Sequence, residues 1–321
     1  AYEMLNRDWS SDVCSSICLM AGASDNIFMY AAAVTIWGLH DAFSSGTGAA
    51  MIYDTLLEEQ GHARNFNRAL GLYETLGGIA LIISNFLGGW IGEHSLLLAF
   101  NLTIIPIAIS MVCHLIYKDA KISREVADEK LIKHTKNTFK CVFKTKSLLW
   151  LMTAIMIVFC IQKMNREAYQ LWYIALSAPA IVFGIAGSFI EGLGGLGGSL
   201  VKYLNSKQIN IVLSILLGLA SLALSVGSNL WITITAQVLI AAISGALLFH
   251  FTAQIQHQLP SRYRTGSGSV INAVGRIVLM PLTFVFGVLS NQSVFIAGWM
   301  LVVLSGLAIF VQLKLDEQAS P

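Results

Sequence analysis

Nine apolar stretches, at 27–53, 65–91, 96–117, 148–171, 175–201, 208–227, 230–255, 266–289 and 293–313, occupy most of the sequence. Each is long enough to cross roughly 30 Å of hydrocarbon as a helix. A segment in lipid has no water to satisfy its backbone, so only helices and closed barrels can span. Continuous runs such as Leu148 to Ile161 and Ile209 to Leu224 lack the alternation that a barrel strand requires. The expected fold class is therefore an all-α polytopic membrane protein. Composition agrees, with 12% charged residues where a soluble domain carries roughly 25%.

One polar run interrupts this pattern. Residues 118–146 hold nine of the twenty Lys and Arg, and cationic loops beside membrane spans stay on the cytoplasmic side. If this run is cytoplasmic and the loops alternate, Arg64, Arg68, Lys202, Lys207, Arg262, Arg264 and Lys314 fall on the same side. The loops assigned to the opposite side, around 92–95, 172–175, 228–229 and 290–292, hold no Lys or Arg at all. Leu131, Ile132, Thr135, Phe139, Val142 and Phe143 come near one helical face with lysines opposite, so 118–147 is expected to be a cytoplasmic amphipathic linker on the membrane surface. Three spans precede it, and six follow in 148–321.

Residues 1–17 do not share the apolar character of the rest. Asp8 to Ser16, DWSSDVCSS, reads as the translation of a sequencing adapter, so this stretch is expected to be a non-native tail. A genuine polar tail is the alternative. The five cysteines, Cys14, Cys18, Cys113, Cys141 and Cys160, form no C-x-x-C pair and suggest neither a zinc site nor a redox pair.

Function is sought among the ionisable residues inside spans, because each costs about 2.5 to 3.5 kcal/mol at the centre of a membrane helix. Lys163, Arg166, Glu167 and Gln170 stand at i, i+3, i+4 and i+7 and share one face, with Lys163 and Glu167 spaced for an internal ion pair. That stripe reads as a substrate or proton site in a wet cavity, or as a structural bridge. Asp41, with Ser44, Ser45 and Gly48 on its face, is a candidate proton carrier. Glu191 lies in IEGLGGLGGSL, where Gly194 and Gly198 have the spacing of close helix packing. Arg276 interrupts the span at 266–289 and is expected to meet one of these carboxylates. His250, Gln254 and His257 share a face near the cytoplasmic end of their span. Glu74 sits in the inner half of the second span, within reach of Arg68.

Two stretches resemble the major facilitator superfamily of transporters. GLHDAFSSGTGAAMIYDTL, residues 38–56, resembles the fourth helix of a bacterial subgroup, and PSRYRTGSGSVINAVGRIVLMPL, residues 260–282, resembles the loop before helix eleven and its start. The long central linker is similar as well. The resemblance implies that the nine spans are helices four to twelve of a twelve-helix bundle. It makes 18–117 a partial N-terminal bundle and 148–321 the complete C-terminal six-helix one, with the chain N-terminally truncated. It also implies that Asp41, the Lys163 stripe and His250 line one cavity. Val34 stands where many proton-coupled members carry Arg, and NFLGGWIG, closing the second span, lacks the antiporter proline.

The resulting expectation is a secondary transporter of an unidentified small solute in a bacterial inner membrane, with proton-coupled efflux as one option. Its partners are the solute, protons and the lipid bilayer. It is expected to be a monomer, and no nucleic acid or cofactor is implied, there being no G-x-x-x-x-G-K-[ST] loop. The alternatives are a lipid-modifying intramembrane enzyme and a sensor or scaffold without transport. Against the enzyme, the sequence has no H-E-x-x-H pair and no G-x-S-x-G elbow.

Overall fold

The computed structural model describes residues 65–116, 145–200, 207–258 and 261–319 continuously, with scattered positions at 28–29, 32, 36, 52, 55–56, 58–61, 139 and 143. Among these residues the backbone forms nine helices and no strand: α1 Phe66–His94, α2 Leu96–Leu102, α3 Ile104–Ile116, α4 Lys146–Ala175, α5 Ala180–Leu200, α6 Lys207–Val226, α7 Leu230–Gln258, α8 Ser261–Ser290 and α9 Val294–Ala319. Six contain segments long and apolar enough to cross a membrane, Thr75–His94, Lys146–Ala175, Gln208–Val226, Leu230–Ile255, Val270–Ser290 and Val294–Leu315. The fold is an all-α membrane bundle. In α5 the apolar stretch Ala180–Leu193 is shorter.

Most helix ends fall within a few residues of the hydropathy boundaries, and one span departs from expectation. The stretch at 96–117 is two helices, α2 and α3, parted at Thr103. Pro106 explains the break, since it has no N–H to give to the Leu102 carbonyl one turn back. The span at 27–53 lies largely outside the described residues. So does the linker, apart from its last residues, 145–147, and from Phe139 and Phe143, which sit one helical turn apart with ring centroids separated by 4.9 Å.

The chain divides into two compact units. The first comprises Ala1–Gly77 and Leu87–Glu125, and includes α2, α3 and the two ends of α1, whose described apolar side chains, among them Leu72, Trp90 and Ile109, are largely exposed. The second comprises Gly78–Phe86 and Val126–Pro321. Within it, α7 packs on α4, α5 and α6, while α9 packs on α4, α6 and α8. Helix α4 is the spine of this unit. Its Leu151, Ile155, Ile161, Met164, Trp172 and Tyr173 are each 2% exposed or less.

Both ends of α4 have identifiable causes. At the start, the Thr145 hydroxyl accepts the Leu148 N–H at 3.3 Å, satisfying one of the otherwise orphaned first-turn donors. At the finish, Ser177 adopts a left-handed φ of 52°. The Ser177 N–H then donates to the Ile174 carbonyl at 3.0 Å and the Ala178 N–H to that of Tyr173 at 2.9 Å. Pro179 cannot extend the helix, and the chain reverses into α5 antiparallel to α4.

The seams of the second unit are closed by small residues. Ser221 on α6 and Ser305 on α9, both buried, face each other with hydroxyls 3.0 Å apart. A Cβ at Gly298 would come within 2.9 Å of the Ser225 hydroxyl, so α9 lies on α6 at a distance that only glycine permits there. On α8, a Cβ at Gly275 would meet the Phe159 ring at 2.8 Å. Pro281 within α8 lacks a helical donor, and the nearby Thr283 hydroxyl bonds the Met280 carbonyl at 2.9 Å.

Candidate functional site

Helix α4 buries one face and leaves the other open. Met164, Asn165 and Tyr169 are buried, whereas Arg166, Glu167 and Gln170 are exposed and Lys163 is intermediate. The polar stripe therefore lies on the uncovered side of the second unit, as its spacing requires. The neighbour that answers it is α5. The Arg166 Nε donates to the Glu191 carboxylate, with the arginine side chain 43% exposed and the glutamate 16%. Among the described residues this is the one partner of Arg166. The guanidinium holds this carboxylate on α5 and not that of Glu167, its neighbour in the chain.

This ion pair tops a three-level ladder between the two antiparallel helices. One level down, the Tyr169 hydroxyl points at the Phe183 carbonyl at 3.5 Å and accepts from the Gln170 amide at 3.3 Å. At the third level, the rings of Tyr173 and Phe183 meet edge-on at 5.5 Å. On α4 the levels are 166, 169 and 173, and on α5 they are 191 and the turn 183–187. Both progressions have the spacing of one helical turn.

Behind the ladder lies a buried polar layer. Asn165 and Gln237 are both 0% exposed. The Asn165 amide donates to the Gln237 carbonyl at 3.1 Å, and the Gln237 amide donates to the Tyr169 carbonyl at 3.3 Å. The Tyr173 hydroxyl donates to the Gln237 side-chain oxygen. A buried amide without partners costs about 1 to 3 kcal/mol, so these bonds fix α7 against the back of the same turns of α4 that carry the polar stripe.

The profile of the Major Facilitator Superfamily matches residues 11–280. The chain belongs to the major facilitator superfamily. It is a multi-pass membrane protein and a secondary transporter of a solute. No curated protein matches the chain.

Within this transporter the remaining candidates occupy other places. His250 is buried on α7, where the Gln254 amide nitrogen stands 2.9 Å and the Asn210 amide nitrogen 3.1 Å from its Nε2. Two amide groups converging on one ring nitrogen make it a structural joint between α6 and α7. His250 is thirteen residues beyond Gln237, about 20 Å along the axis, so it shares no level with the Arg166–Glu191 ladder. Arg276 is exposed on α8, directly after the Gly275 contact with Phe159. Glu191, one of the carboxylates it was expected to meet, is held by Arg166. Asp41 and the side chains of Glu74 and His257 lie outside the described residues. Among the described side-chain positions of α5, close glycine contacts fall at Gly187 and Gly192; the surroundings of Gly194 and Gly198 lie outside the description.

A groove of about 460 Å³ between α6 and α7 is lined by Leu216, Leu219, Trp231, Thr235, Leu239 and neighbours. It contains no ionisable side chain and bears no relation to the polar face.

Sequence reasoning missed Asn165, Tyr169, Tyr173 and Gln237. Their signal was available: Asn165, Tyr169 and Tyr173 recur every four residues, and Gln237 is a lone amide in the apolar run Leu230 to Ile243. Neutral amides carry less of a membrane penalty than charges and draw less notice.

Proposed function

We propose that the protein moves a small solute across the cytoplasmic membrane of a bacterium by alternating access, exporting it in exchange for protons at the polar face of α4 and α5. The observation that carries this reading is the Arg166–Glu191 pair, with its cation 43% and its carboxylate 16% exposed. A pair placed for stability alone would be sealed in the core, and one facing lipid would suffer the insertion cost of each charge. A half-open pair flanked by Lys163 and Gln170 suits a face that meets water and solute within the membrane. Protonating Glu191 removes the charge that Arg166 binds, which gives a proton a way to change the site.

The test is flux in proteoliposomes made with the purified protein and loaded with pyranine as the internal pH indicator. A panel of small organic solutes is applied outside. At least one solute should drive a proton movement that Glu191→Gln abolishes and Arg166→Gln reduces at least tenfold. Solute movement that survives both substitutions unchanged would sink the assignment of this face.

A further inference from the structure

We propose that glycine at 187, by leaving room for the Tyr169 hydroxyl, is the positioning residue that lets α5 bring Glu191 to Arg166; its functional meaning rests on the reading of this face as the transport site. A Cβ at Gly187 would stand 2.6 Å from the Tyr169 hydroxyl oxygen and 3.3 Å from the carbon that bears it. Unstrained contact between heavy atoms begins at about 3.5 Å, so even a methyl group at 187 displaces the hydroxyl, or α5 itself, by about 1 Å.

The tyrosine is poorly placed to yield. It is 8% exposed, its ring packs edge-on against Tyr173 at 5.6 Å, and its carbonyl is held by Gln237 from behind. Tyr173 is in turn backed by Phe183. Displacement therefore passes to α5. Arg166 lies three residues before Tyr169, and Glu191 four residues after Gly187. Because the helices are antiparallel, both steps lead the same way, by about one turn or 5 Å. A charged hydrogen bond one turn from a contact that opens by about 1 Å leaves the 2.7–3.2 Å range in which it exists. Glycine at 187 is thus a condition for the ion pair at 166 and 191.

A glycine that merely lets two helices pack would lower stability when replaced but would leave the Arg166–Glu191 interaction intact. The distinguishing experiment is a double-mutant cycle, Arg166→Ala with Glu191→Ala, read as the non-additive part of the Tm shift of the 321-residue chain in detergent micelles. The cycle is run in the unmodified protein, in Gly187→Ala, in Tyr169→Phe and in the Gly187→Ala/Tyr169→Phe double variant. The expected result is coupling in the unmodified protein and in Tyr169→Phe, a loss of at least half in Gly187→Ala, and its return in the double variant, where the missing hydroxyl makes room for the methyl. Undiminished coupling in Gly187→Ala, no return in the double variant, or no coupling in the unmodified protein would each overturn the proposal. Should Gly187→Ala prove too unstable to measure, recovery of a folded protein with intact coupling on adding Tyr169→Phe supports it, and failure to recover overturns it. The cycle needs no substrate. Normal flux in Glu191→Gln would therefore defeat the transport reading while leaving the coupling result standing.

Discussion

Helix α4 has two faces that solve opposite problems with residues one position apart. The buried face, with Ile155, Met164, Asn165, Trp172 and Tyr173, is closed mainly on α7 and α9, and the Trp172 indole reaches across to donate to the Leu224 carbonyl of α6 at 3.2 Å. The open face, with Lys163, Arg166, Glu167 and Gln170, keeps its charges partly solvated and commits one of them to α5. The difference separates what the helix needs for folding from what it offers a solute. Substitutions on the first face should act on stability, and those on the second on transport.

The largest break in this comparison should come from Trp172→Ala. Removing a fully buried indole and its hydrogen bond is expected to cost about 3 to 5 kcal/mol, measured as a fall in Tm in detergent, and a loss below about 1 kcal/mol would mean that the buried face is looser than described. Tyr173→Phe comes next. It leaves the Gln237 side-chain oxygen without its donor in a dry site, at a cost of about 1 to 3 kcal/mol, and Gln237→Leu combined with it should cost less than the two separately. On the open face, Glu191→Gln and Arg166→Gln should change stability by about 1 kcal/mol or less, because the pair is partly exposed. Either one should nevertheless lower flux at least tenfold. A stability loss as large as that of Trp172→Ala would erase the distinction between the faces. The smallest effect is Ser177→Gly, which relieves a left-handed φ at the end of α4 and should raise stability by about 1 kcal/mol.

The sequence made some of this legible and not the rest, for reasons that particular residues show. Hydropathy placed α4 at 148–171 and α9 at 293–313, close to the observed Lys146–Ala175 and Val294–Ala319, because lipid allows an apolar segment little choice but a helix. The polar face of α4 was also legible, since periodicity states which side chains stand together on one helix. Periodicity does not state which neighbour they meet. Spacing could offer Lys163 with Glu167 on one helix, but it gave no sign that Arg166 meets a carboxylate on α5. For the same reason the glycines of α5 gave no sign that Gly187 would be a contact point. The Pro106 break was written in the sequence but was outweighed by the apolar run around it. Asn210, forty residues from His250, could be linked to it only by the packing of α6 on α7.

The indole of Trp172 has a further consequence, for spectroscopy. It is 0% exposed and hydrogen-bonded, whereas Trp231 on α7 is 74% exposed. Trp90 and Trp299 are open as well, at 54% and 48%, so Trp172 is the shielded emitter among several accessible ones. A brominated lipid should dim the exposed indoles first, and the moment at which the shielded fraction joins them would time the loosening of the packing around Trp172 without any attached label.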